Sequence, residues 1–144
     1  MKGQFNKYHG AGNDFILIDE MEGDWLDDPR IARACCRRTG IGADGLLRLS
    51  TSHVADFKVT YYNADGALGS LCGNGSRCAV DYAKRAGLFP GSDCTFEAVD
   101  GLHEARWKGS GQVTISMENM PLAKLSEGGY FLDTGSPHHV ALLP

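Results

Sequence analysis

From Asp14 to Asp19 the chain reads DFILID, a short apolar and β-branched run that predicts a well-buried strand. Farther on, Phe57, Val59 and Tyr61 alternate with Lys58, Thr60 and Tyr62, the period-two pattern of a half-buried strand. Val113, Ile115 and Met117 repeat that pattern in QVTISME. CTFEAVDG and LHEARW predict two strands joined at Asp100-Gly101, a strong turn dipeptide, and HHVALLP predicts a last extended stretch. Two segments change period. In DDPRIARACCRRTG, Asp28 is placed to cap a helix, and Pro29 suits its first position. Ile31, Ala34 and Cys35 share one face there, and Gly40 stops the helix. A second helix is predicted from about Gly73 to Ala86, with Gly87 as its C-terminal cap. On it Ala79, Val80, Ala83 and Ala86 form a stripe of small apolar residues, with Asp81, Lys84 and Arg85 facing the other way. Strands outnumber helices without alternating regularly with them, so the class is α+β rather than a doubly wound sheet.

Composition narrows the partners. With 144 residues and 42% hydrophobic content the chain suits one soluble domain with a proper core. Its net charge is −4, and its fourteen Lys and Arg are scattered, which argues against nucleic acid as a partner. No apolar run approaches the roughly 20 residues of a membrane span, and the N-terminus lacks the apolar region of a signal peptide. The expected location is cytoplasmic. Five cysteines, an odd number with no Cys-x-x-Cys pair, speak for reduced thiols and against a disulfide framework or a zinc site, so no metal is expected.

The chemistry concentrates where glycine does. Glycine clusters punctuate the chain at HGAGND, TGIGADG, NADGALGSLCGNG, GSGQ and EGG. In LCGNGSRC, Cys72 stands immediately before the second predicted helix. The unpaired N–H groups and positive dipole end of a helix start hold anions and stabilise thiolates there. Gly73 and Gly75 would let a small ligand approach the backbone, and Asn74 offers both a donor and an acceptor. Cysteines are commonly buried small hydrophobes, and Cys35, Cys36, Cys78 and Cys94 are read that way. HGAGND lacks the third glycine of a dinucleotide loop and precedes a strand instead of following one.

Taken in order, KYHGAGNDFILID, RRTGIGADGLL, YYNADG, LCGNGSRC and DTGSPHHV resemble the diaminopimelate epimerases, racemases that work without pyridoxal phosphate or another cofactor. Related racemases of proline and hydroxyproline carry histidine where this chain has Asn74, so CGNG favours the diaminopimelate branch. The resemblance implies a mixed or antiparallel sheet curled like a β-barrel around a central helix. It also implies interconversion of LL- and meso-2,6-diaminopimelate, a step toward lysine and peptidoglycan precursors. Inversion needs two proton-transferring groups on opposite faces of the α-carbon, and in this family both are cysteines. Cys72 matches one of them. Gly73 and Asn74 match backbone amides that receive the substrate carboxylate, and Asn13, Asn63 and Ser136 match side chains that contact substrate. His138 matches a histidine that tunes the thiols. At two positions the chain departs from the pattern: Ser136 replaces a frequent asparagine, and Gly45 a glutamine found in some members.

In the family the active site lies between two similar halves. The resemblance therefore makes residues 1–144 the N-terminal domain, partnered by a C-terminal half that this chain does not contain. The chain alone is expected not to epimerise, although a homodimer bringing two Cys72 together is conceivable. Three other readings compete: a non-catalytic domain that binds a carboxylate or amino acid, another cofactor-independent racemase or isomerase of this fold, and a thiol hydrolase or transferase. The last would use Cys72 as nucleophile, with His138 or His103 as base.

Overall fold

The run Phe15–Ile18 is buried on both sides, and the two sides belong to two different packing layers. In the computed structural model, which describes residues 4–20, 28–117, 119, 122–134 and 137–143, the elements in chain order begin with β1 (Asn6–Gly10), β2 (Asn13–Asp19), α1 (Asp28–Cys35), β3 (Gly45–Ser50) and β4 (Phe57–Asn63). There follow α2 (Gly73–Arg85), β5 (Asp93–Ala98), β6 (Gly101–Gly109), β7 (Gln112–Ile115), β8 (Lys124–Ser126), β9 (Gly129–Asp133) and β10 (Pro137–Val140). The first seven strands form one sheet in sequence order. Its β2–β3 and β4–β5 pairs are parallel and the rest antiparallel, so it is mixed, as expected. The last three strands form a separate antiparallel sheet in which Leu125, Phe131 and Val140 are exposed.

The seven-stranded sheet curls around α2, because α2 packs against both edge strands, β1 and β7, as well as against β2, β3, β4 and β6. Side-chain size permits this. Ala79, Val80 and Ala83 are fully buried against Phe15, Leu17, Leu47, Leu49, Phe57 and Phe96, and small residues on the helix let strands approach from several directions. On the outer face, Ile31 and Cys35 of α1 cover Ile16, Ile18 and Leu46. Alternate residues of β2 and β3 thus feed two cores, which is why both strands read as nearly continuous apolar runs.

Four sequence expectations change. Helix α1 ends at Cys35, and the chain turns back so that the Ile41 and Gly42 N–H groups both donate to Ala34 O, leaving Cys36 exposed rather than buried. Ala86 is exposed because α2 ends there. Gly87 N–H donates to Lys84 O at 3.2 Å and Leu88 N–H to Ala83 O at 2.9 Å, a C-terminal motif that closes the helix around Gly87. Asp81 does not face solvent: it is buried, accepting from Trp107 Nε1 at 2.8 Å and from Arg85 Nε at 2.6 Å. The QVTISME strand stops at Ile115, leaving Met117 exposed. Strands β1, β3, β8 and β9 had no predicted counterpart. The proposed cap at the Asp28 side chain lies outside the described residues.

Candidate active site

Sheet register gathers three of the glycine clusters, HGAGND, TGIGADG and NADGALGSLCGNG, at one end of the fold. Gly10 pairs with Asn13 across the two-residue turn Ala11-Gly12, in which both residues have positive φ. Phe15 pairs with Gly45, and Gly45 with Asn63, so β1 to β4 bring Asn13, Asp44 and Asn63 to the same edge. The N-terminus of α2 meets them there. A Cβ on Gly10 would stand 2.9 Å from Asn74 O, so the absent side chain is what allows the hairpin end to press on the first turn of the helix. Asn63 also keeps its turn role: its N–H donates to Ala67 O and its carbonyl accepts from Gly66, while the residue itself is exposed.

Cys72 is the N-cap of α2, with extended backbone (φ −110°, ψ 106°). Its half-buried Sγ accepts from Gly75 N–H at 3.4 Å and lies 3.8 Å from Asn13 Oδ1, to which the thiol can donate. One neighbour therefore favours the thiolate and the other the thiol. Ser76 N–H bonds to Cys72 O, which leaves the Gly73 and Asn74 N–H groups without a partner among the described residues, as at any helix start. The Asn74 side chain accepts from Arg77. Behind the sulfur, Tyr61, Leu47, Gly69 and Ser76 line a narrow crevice. Burial is the main cause, and the nearby Cys72 a lesser one, that pushes the Tyr61 hydroxyl above its ordinary pKa.

Beside the thiol lies a charged lattice. Asn13 Nδ2 donates to Asp44 Oδ2 at 3.0 Å, and the Asp14 N–H donates to the same oxygen at 3.2 Å. Arg37 bridges Asp14 Oδ1 and Asp44 Oδ1, each at 2.8 Å, and Lys7 pairs with Asp14 at 2.7 Å. Hydrogen bonds from Lys7 and then Arg37 hold the Asp14 carboxyl well below the usual carboxylate range. Asp44 is lowered by its bonds to Asn13, the Asp14 N–H and Arg37.

A sequence model of diaminopimelate epimerase matches residues 5–122. The chain belongs to the diaminopimelate epimerase family. A diaminopimelate epimerase of Flavobacterium psychrophilum is 43% identical over 136 residues, covering 93% of this chain and 53% of its own length. One from Chlorobaculum tepidum is 45% identical over 141 residues, covering 92% and 54%. The chain thus spans about half the length of the curated relatives it matches. Among solved structures, a probable proline racemase from Agrobacterium radiobacter superposes with a TM-score of 0.62 at 14% identity, over 91% of this chain and 48% of that one, and attests the fold.

Against the diaminopimelate epimerase pattern, the departure at Gly45 has a packing cause. A side chain there would overlap the Tyr61 ring, which Gly69 flanks in the same way. Ser136 lies outside the described residues. His138 sits exposed on β10, with Nδ1 3.4 Å from Thr134 Oγ1, and no described contact links it to Cys72. His103 is buried on the face of Phe96, between Ser116 O at 3.1 Å and Asp100 Oδ1 at 3.0 Å, so it serves the β6–β7 region and not the thiol. A roomier groove of about 720 Å³ runs over β5 to β7, lined by Asp56, Asp93, Thr95 and Arg106, away from Cys72.

Sequence reasoning missed Asp14, Asp44, Arg37, Lys7 and Tyr61. Asp14 and Asp44 lie within the glycine clusters HGAGND and TGIGADG, which was the available signal. Their partnership depends on the parallel register of β2 and β3, which no local pattern encodes.

Proposed function

We propose that this chain supplies one acid/base face of a diaminopimelate epimerase, with Cys72 exchanging the α-proton. The observation that carries the reading is the placement of Cys72 Sγ between a donor, Gly75 N–H at 3.4 Å, and an acceptor, Asn13 Oδ1 at 3.8 Å. A group that must take a proton in one direction and return it in the other needs both charge states accommodated. As thiolate, Cys72 removes the α-proton and becomes a thiol, while the electron pair left on carbon delocalises into the α-carboxylate. The unpartnered Gly73 and Asn74 amides receive that carboxylate, and Asn13, Asn63 and Ser136 contact the remainder of the substrate. A second thiol delivers a proton to the opposite face. On this reading it comes from the part of the enzyme that this chain, about half the length of its curated relatives, does not span. His138 tunes the pair when the two halves meet, and the protein works in the cytoplasm on free amino acid, without a cofactor.

The test is exchange of the diaminopimelate α-proton in deuterated water, catalysed by the protein joined to the remaining half of a relative. Cys72→Ala is expected to abolish exchange, by about 100-fold or more. Exchange at the original rate in Cys72→Ala would overturn the reading. The 144-residue chain by itself is expected not to invert the substrate.

A further inference from the structure

The geometry points to Asp44 as a positioning residue that acts on Cys72 through Asn13: by claiming the Asn13 Nδ2 group it turns Oδ1 toward the sulfur and holds resting Cys72 as a proton donor. The inference rests on Cys72 being the acid/base thiol. An ionised carboxylate can only accept, so the amide facing Asp44 Oδ2 at 3.0 Å must present nitrogen to it. The rotated amide would set two oxygens against each other and direct its N–H groups at Cys72. Asp44 is in turn immobilised, its Oδ1 on Arg37 at 2.8 Å and its Oδ2 also on the Asp14 N–H at 3.2 Å. A side chain that never touches the sulfur therefore decides whether the amide beside the sulfur favours the thiol or the thiolate. Among the described residues, Tyr61 across the crevice and Cys78 on α2 also lie near the sulfur, and burial keeps both in their neutral forms at neutral pH, while the Arg77 guanidinium, held on Asn74, stands by the first turn of α2.

The experiment follows iodoacetamide alkylation at Cys72 itself by peptide mass spectrometry, as a function of pH, in the full chain. This readout is independent of epimerase turnover, so a failure of the epimerase reading would leave it intact. Asp44→Ala should raise the neutral-pH rate on the order of three- to tenfold, the scale of one net hydrogen bond, and leave the high-pH plateau unchanged. In an Asn13→Ala background the same substitution should have no further effect. The proposal is overturned if the neutral rate does not rise, if the plateau rises in parallel, as simple unblocking would cause, or if the effect persists without Asn13. Should Asp44→Ala fail to fold by circular dichroism, the wild-type protein still decides: the nitrogen-labelled Asn13 side-chain resonances must shift as Asp44 is protonated in acid, and resonances blind to that titration refute the coupling.

Discussion

Tyr61 occupies the space that any side chain at Gly45 would need. The ring is held edge-on against Phe15, with centroids 5.9 Å apart and planes at 84°, and it lines the crevice behind Cys72. Gly45→Ala is accordingly expected to destabilise the protein by about 1–3 kcal/mol, the usual cost of overpacking a filled core. In a Tyr61→Leu background only part of that cost should disappear, because the same Cβ would also stand 2.6 Å from the Tyr62 backbone carbonyl oxygen, which that substitution leaves in place. Chemical denaturation of the four proteins of this cycle measures the coupling, and strictly additive costs would show that Tyr61 is not what position 45 accommodates.

The cysteines should separate under native-state labelling. Cys36 is exposed, and hydrogen bonds from the Thr39 side chain and from the Arg38 and Thr39 backbone lower its pKa, so it should react first. Half-buried Cys72 should follow. Cys35, Cys78 and Cys94 are buried, and burial pushes the Cys78 thiol up to about 11 and the Cys94 thiol up to about 12. These three should stay unlabelled until the protein unfolds. Mass spectrometry of a labelling time course reads the order, and early labelling of Cys94 would contradict the packing described.

Asp14 ties stability to pH. Its pairing with Lys7 and Arg37 lowers its folded-state pKa, so its contribution is complete above the ordinary aspartate value of about 4. The contribution fades as pH falls below that value and is gone only below the folded-state pKa. Asp14→Asn should thus melt at a lower temperature than wild type at neutral pH, and the difference should narrow steadily in acid. Melting curves that stay parallel across that range would remove Asp14 from the acid response.

Much of the site was legible because its chemistry is local. An N-cap position is a property of a few consecutive residues, and LCGNG announced Cys72, Gly73 and Asn74 before any fold was known. Asn13 and Asn63 were legible as motif members, and the structure brings both to the sheet edge beside the helix start. The Asp81 error is instructive in the opposite sense. Helical periodicity put a carboxylate opposite the apolar stripe, which ordinarily means solvent, but in a sheet that curls around the helix Trp107 of β6 reaches that side as well.

By itself the sequence determined the helix that carries Cys72, the strands with clear alternation, the α+β class and the family, since each depends on residues near one another or on motif order. Only the tertiary structure decided that Asp44 holds Asn13, that Tyr61 fills the place above Gly45 and that Asp81 is buried. Those relationships join residues 16 to 31 positions apart across strands and helix, and strand register, which no local periodicity specifies, sets them.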